Sequence, residues 1–208
     1  MRGRCILLVG TLGVGILSMP MLQASPQGSP QPPKATAPPA HPGDVNPSAQ
    51  TMAEFTRRVE EYVALHKKVE SALPALPKEA TPKVIDTHQR AFAAGVAKAR
   101  ASAKPGTLFT PPMQGEVRRL MAQLFKDSAA RRQLRDSVMD DNPTGRVTLA
   151  VNARYPDEVP LSTMPPDVLK NLPRLPKEVE YRFVGEDLIL LDPDAHIVVD
   201  FMPRALPR

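Results

Sequence analysis

The hydrophobic period of this chain changes once, and that change limits the folds open to it. Met52, Phe55, Val59, Tyr62, His66, Val69 and Leu73 recur at steps of three and four. That spacing sets them on one face of a helix, with Arg57, Arg58, Glu60, Glu61, Lys67, Lys68 and Glu70 on the others. Pro74 and Pro77 stop it. Thr81-Pro82 supplies a cap and a first-turn proline for a second helix, whose stripe is Ile85, His88, Phe92, Val96 and Ala99. The short proline-bounded loop between them predicts an antiparallel hairpin. A third helix opens at Thr110-Pro111, with Met113, Val117, Leu120, Leu124 and Phe125 inward, and continues or restarts at Asp127-Ser128. After the turn signal Asn142-Pro143-Thr144-Gly145 the period becomes two.

In "RVTLAVNARY", Val147, Leu149 and Val151 alternate with polar residues, which predicts a strand. "PPDVLKNLP" fits two turns of helix. The closing stretch "YRFVGEDLILLDPDAHIVVDF" predicts three strands, near 178–184, 188–192 and 196–202, joined at Gly185-Glu186-Asp187 and Pro193-Asp194. Helices first and strands afterwards give an α+β fold class: an N-terminal helical hairpin plus third helix packed on a small antiparallel β-sheet of about four strands. No internal repeat is present. The leucine-rich segment between the fourth-from-last strand and the meander (Val159, Leu161, Met164, Leu169, Leu172, Leu175) reads as a loop that plugs the core.

Residues 1–24 have the order of a secretory signal: Arg2 and Arg4, an apolar run from Cys5 to Leu17, then Pro20 and a small exit residue at Ala24. The apolar run is short for a bilayer, which takes about 20 helical residues, so contact with a membrane is expected only through this segment if it stays uncleaved. Residues 25–50 hold eight prolines in 26 positions and read as an extended linker. Residues 51–208 remain for one domain, with its helical part at 51–141 and its sheet part at 146–208. Cleavage after Ala24 removes the only cysteine, which excludes disulfides and thiol catalysis from the mature chain. It also removes two of the 27 Lys+Arg, leaving 25 against 22 Asp+Glu. An excess of three is no footprint for nucleic acid, and an aromatic content of 4% without tryptophan offers no stacking platform for bases.

No zinc-protease helix, nucleophile elbow or phosphate loop occurs in the sequence. The sharpest chemical feature is a histidine pair. His66 and His88 lie on the inward stripes of the hairpin, at similar distances from its turn, and are expected to face each other. Glu70, one helical turn from His66, completes a conceivable His-His-carboxylate site for a transition metal. The alternative is that each histidine is a half-buried polar residue bonded to a neighbour, with no cofactor at all. Imidazoles near neutrality also make the hairpin a candidate for loosening in acid. The arginine-rich third helix (Arg118, Arg119, Lys126, Arg131, Arg132, Arg135) carries its own acids and reads as a solvated face or as a dock for an acidic partner or anionic lipid head groups. Glu186, Asp187, Asp192 and Asp194 read as turn acids; Asp200, inside a strand, does not, and a pairing with Arg182 is expected.

Taken together, "YVALHKKVESALPALP", "HQRAFAAGVAKARASAKPGTLFTP" and "LPRLPKEVEYRFVGEDLILLDPDAHIVVDF" resemble a family of exported bacterial proteins of the kind found in soil bacteria such as acidobacteria. The resemblance covers most of the chain after residue 51. It implies a secreted or periplasmic setting and no particular activity. The functional expectation is a non-catalytic exported protein acting through protein or cell-envelope contacts. The alternatives are a metal- or small-ligand-binding protein built on His66 and His88, then a carboxylate-dependent hydrolase.

Overall fold

The computed structural model describes residues 46–139 and 147–206, all within one compact unit, Pro42–Arg208. The secretory-type segment, the linker up to residue 45 and the turn at residues 142–145 lie outside the described residues. Five helices precede a three-stranded sheet: α1 Pro47–Glu70, α2 Pro82–Ala99, α3 Pro111–Leu124, α4 Ser128–Met139 and α5 Pro166–Asn171, then β1 Glu180–Val184, β2 Asp187–Asp192 and β3 Ile197–Met202. The class is α+β, as the change of period requires.

The helix starts follow local chemistry. Asn46 Oδ1 accepts the Ser48 amide at 3.0 Å, and Pro47 fills the first turn, so α1 begins inside the stretch expected to be linker. Thr81 Oγ1 accepts the Val84 amide at the start of α2 (3.4 Å). Of the two readings open for the third helical region, the restart is the one found: Phe125 leaves the helical region at φ −119°, ψ 60°, and Asp127 Oδ1 caps α4 through the Ala130 amide at 2.7 Å.

β1, β2 and β3 form an antiparallel meander in that order. Val184 pairs with Asp187 across a two-residue turn whose Gly185 has φ +59°, the positive value that primed hairpin turns require at this position. The expected fourth strand does not form. Residues 147–150 are irregular, and Asn152 has φ +63°, which breaks extended backbone. What remains is a single bridge from Arg154 to Ile197, with Asn152, Tyr155 and Val198 amides donating to Val198, His196 and Ala153 carbonyls at 2.8, 2.9 and 2.9 Å.

Both faces of the sheet are covered. Tyr181, Phe183, Leu188, Leu190, Ile197, Val199 and Met202 pack into the main core with Phe55, Val59, Phe92, Val96, Phe109, Met113 and Val117 from the helices. Val184, Ile189, Leu191 and Val198 form a second, smaller cluster with Tyr155. The plug is partly real: Met164 and Leu172 are buried, whereas Leu161 and Leu169 are exposed.

One irregularity decides where the acids go. Leu190 faces Asp200 while the next residue, Leu191, faces Val198, so Val199 and Asp200 together oppose Leu190 in a β-bulge. Strict alternation would send Asp200 to the face of Val198; the extra residue brings it to the face of Leu190, towards the helices. Its carboxylate accepts four backbone amides: Gly106 (2.9 Å), Leu108 (2.7 Å), Phe109 (2.8 Å) and Phe201 (2.9 Å). Arg182, the partner expected from the sequence, pairs with Glu180 instead at 2.8 Å.

Two helix glycines give a matched test. A Cβ on Gly115 in α3 would meet nothing within 4 Å, whereas one on Gly95 in α2 would lie 2.6 Å from Val69 Cγ1 on α1. Gly115→Ala should stabilise the protein by about 0.5–1 kcal/mol through helix propensity alone. Gly95→Ala should destabilise it by about 1 kcal/mol net, the same propensity gain being outweighed by overpacking of the hairpin. Urea midpoints check both, and Val69→Ala should rescue Gly95→Ala.

Candidate functional site

Tyr62 and His66, four residues apart on α1, present side chains from the same face to the end of β2. There Asp192, fully buried, pairs with Ile197 and so shares the helix-facing side of the sheet. Its Oδ2 accepts the Tyr62 hydroxyl at 2.5 Å and contacts His66 Nδ1 at 2.6 Å; its Oδ1 accepts the Ala195 amide at 2.8 Å. One carboxylate thus ties α1 to the sheet and shapes the β2–β3 loop. Charge-assisted bonds of this kind contribute about 1.5–3 kcal/mol each.

His66 is 1% exposed and its ring lies edge-on to Phe92 of α2, with centroids 4.7 Å apart. Its second nitrogen, Nε2, has Asp194 Oδ2 at 3.7 Å and Glu70 Oε2 at 3.8 Å. Burial pushes this imidazole down, but the hydrogen bond and charge of Asp192, with the charges of Asp194 and Glu70, outweigh it and leave His66 above the ordinary histidine value. Asp194 is raised, by burial first and then by Asp192 and Glu70, with His66 and Lys177 opposing. Tyr62 is held protonated by burial and by the Asp192 charge.

Arg100, at the end of α2, closes the other side. Its guanidinium carbon stands 4.9 Å over the Tyr62 ring, and its Nη1 donates to Asn152 Oδ1 at 2.7 Å and to the Val199 carbonyl at 3.0 Å. Asn152 Nδ2 donates back to the Arg100 carbonyl at 2.9 Å, which fixes the left-handed residue that ended the fourth strand.

The histidine pair expected across the hairpin is therefore not the arrangement found. His66 turns to the sheet and meets acids from the β2–β3 loop. His88 lies instead beside Leu73, Pro74, Ala75, Leu76, Pro77, Val84 and Ala91 in a groove of about 510 Å³ at the hairpin end. The reason is Phe92: with Val96 it takes the buried positions of α2, while Ile85, assigned to the inward stripe, is 47% exposed. Glu70 stays near His66 but does not bond it directly. Among the described residues no group of three or more His, Cys, Asp or Glu side chains is preassembled around a metal position.

A second polar cluster sits where α2 passes the same loop. Arg154 Nη2 donates to Asp157 Oδ1 (2.8 Å), Gln89 Oε1 (3.1 Å) and Asp86 Oδ1 (3.4 Å), and His196 Nε2 lies 3.3 Å from Asp157 Oδ1. Burial first, and then the Arg154 charge, press His196 below the ordinary histidine value against the pull of Asp157. Of the arginines of α3 and α4, Arg119 pairs within its own helix with Glu116 at 2.5 Å, whereas Arg135 reaches Glu186 in the β1–β2 turn at 2.5 Å.

Tyr62, Asp192, Arg100 and Asn152 were not readable as a group. Asp192 and Asp194 are visible in the sequence as turn acids; what joins them to Tyr62 and His66 is the docking of α1, more than a hundred residues away in the chain. No helix among the described residues is long and apolar enough to cross a membrane. No protein-family model matches the chain, and no curated protein or solved structure matches it either.

Proposed function

We propose that this chain is a non-catalytic exported protein, secreted or periplasmic, that works by holding a partner protein at the loop end of its helical hairpin. The observation that carries the reading is the apolar surface there. Leu76, Val84 and Ile85 are three of the six large apolar side chains exposed among the described residues, and Leu76 and Val84 line the 510 Å³ groove. Contiguous exposed apolar surface marks a contact site more often than scattered single residues do. Leu73, Pro74, Ala75 and Pro77 line it as well, together with Lys83. This chemistry suits an apolar peptide segment with an acidic flank. The buried acids Asp192 and Asp200 support the same reading, because their oxygens are engaged by internal donors that hold the fold.

A photo-crosslinking residue at position 76 or 84, introduced in the producing organism, should give one discrete protein adduct. The purified partner should then bind the wild-type chain at least tenfold more tightly than the Leu76→Asp/Ile85→Asp variant. Equal affinity for both, or no discrete adduct, would remove this reading.

A further inference from the structure

We infer that Arg100 and Arg58 form a binding site for the carboxylate of a short-chain aliphatic acid, in a small pocket between α1 and residues 107–108. A buried cation with hydrogens to spare carries the inference. Arg100 is 8% exposed, and its Nη1 donates to two neutral acceptors, Asn152 Oδ1 at 2.7 Å and the Val199 carbonyl at 3.0 Å. Its Nη2 is buried and has no hydrogen-bond partner. The charge of Asp200 reaches this guanidinium only through space, because that carboxylate is engaged by the amides of residues 106–109. A cation taken out of water without a bonded counter-charge is costly, so an anion that meets Nη2 there gains more than it would in solvent.

Arg100 and Tyr62 line a pocket of about 180 Å³ with Arg58, Leu65 and Leu108. Since Nη1 is spent on Asn152 and the sheet, Nη2 is the end of the guanidinium left to this pocket. The Tyr62 ring, 4.9 Å from the guanidinium carbon, steadies the fork. Arg58 is the second cation. Its Nε donates to Glu54 Oε1 at 2.7 Å and its Nη1 to the Thr107 carbonyl at 2.8 Å, which leaves its Nη2 unengaged among the described residues. Glu61, the acid on the lining, pairs with Arg57. Guanidinium N–H groups match the two oxygens of a carboxylate. Leu65 and Leu108 supply an apolar wall that an inorganic oxyanion would leave unused. The volume is below the ~300–1,000 Å³ of pockets for drug-sized ligands, so the ligand is a carboxylate with a few carbons attached.

The site does not depend on the groove at the hairpin loop. The test is a titration of the full chain with sodium butyrate at constant ionic strength, followed by the amide chemical shifts of Thr107 and Leu108. Both should move saturably, and the thermal midpoint should rise. Butyramide, which keeps the shape without the charge, should bind at least tenfold more weakly. Sodium phosphate, which keeps charge without a tail, should bind at least fivefold more weakly. Arg58→Gln, at a side chain 35% exposed, should weaken butyrate binding at least fivefold with its ligand-free midpoint nearly unchanged. Arg100→Lys keeps the charge and removes the fork, and should weaken it at least tenfold; where that variant fails to fold, Arg58→Gln decides. Arg119→Gln on α3 and the Leu76→Asp/Ile85→Asp variant should bind butyrate as the wild type does, so a failure here and a failure of the groove are read separately. Shifts that do not saturate, butyramide binding as tightly as butyrate, or unchanged affinity in Arg58→Gln would overturn the inference. So would phosphate binding as tightly as butyrate.

Discussion

Asp200→Ala should be among the most destabilising single changes in the protein, costing about 3–5 kcal/mol or preventing folding. The side chain is fully buried and receives four backbone amides, three of them from residues 106–109. Removing it leaves those donors in the interior, where each unsatisfied group costs about 1–3 kcal/mol before any relaxation. Asp200→Asn is the informative partner, because it keeps the volume and one acceptor oxygen but turns an amide N–H₂ towards N–H donors. It should still cost at least about 2 kcal/mol. Asp187→Ala is the contrast: its Oδ1 accepts only the exposed Arg204 amide at 2.9 Å, and its loss should cost under about 1 kcal/mol. Urea unfolding measures all three. Hydrogen exchange at Leu108 and Phe109 localises the effect. An Asp200→Ala protein within 1 kcal/mol of wild type would show that the bulge does not organise this loop.

The second large effect is a stability that peaks near pH 6.5 and falls on both sides. His66 has its folded value raised, so the folded state holds its proton more tightly than the unfolded chain. The stability it contributes is complete below the unfolded value of about 6.5 and is lost as pH rises through the folded value. His196 has its folded value lowered, so its contribution is complete above about 6.5 and is lost as pH falls through the folded value. The acid-triggered loosening expected of the hairpin therefore has the wrong sign for His66, which grips Asp192 harder in mild acid. Asp192→Asn should abolish the alkaline decline and cost about 3–5 kcal/mol at pH 6, as removal of one member of a buried charged pair does. His196→Asn should abolish the acid decline at little cost, since that histidine is on a loop with partial exposure. Urea midpoints from pH 5.5 to 8.5 separate the two limbs. A wild-type stability that climbs steadily from pH 6.5 to 8.5 would refute the His66–Asp192 assignment.

The parts of this molecule legible in the sequence are those set by local chemistry. Pro82 after Thr81, Pro111 after Thr110, the Asp127 cap and Gly185 at a tight turn each announce an element, and each is found there. The meander follows from alternation and turn residues alone. What failed did so for non-local reasons. Ile85 matches a helical stripe, but α2 is buried only from Phe92 onward, so the loop end of the hairpin stays uncovered. Val147, Leu149 and Val151 alternate as a strand does, yet Asn152 takes a left-handed conformation because Arg100 binds its side chain. Asp200 is misread because a single inserted residue reverses its face, and periodicity carries no trace of that. His66 stands out in the sequence as an imidazole on an apolar stripe, but its bonded partner, Asp192, lies more than a hundred residues away. Helical geometry predicts which face a residue occupies; it does not say which strand will arrive against that face.

The two buried acids also impose an order of assembly. Asp192 and Asp200 engage residues 62–66 and 106–109, so the contacts that close the helical layer span about ninety to one hundred and thirty positions of chain. Contacts this remote are slow to form, because the intervening chain must be ordered before they repay it. The helices consequently have no independent endpoint: they wait, with Phe55, Val59 and Phe92 uncovered, until the final hairpin is made. A helical fragment ending at residue 139 should remain a fluctuating ensemble, and the late arrival of two strands should bring every layer to completion in a single cooperative step.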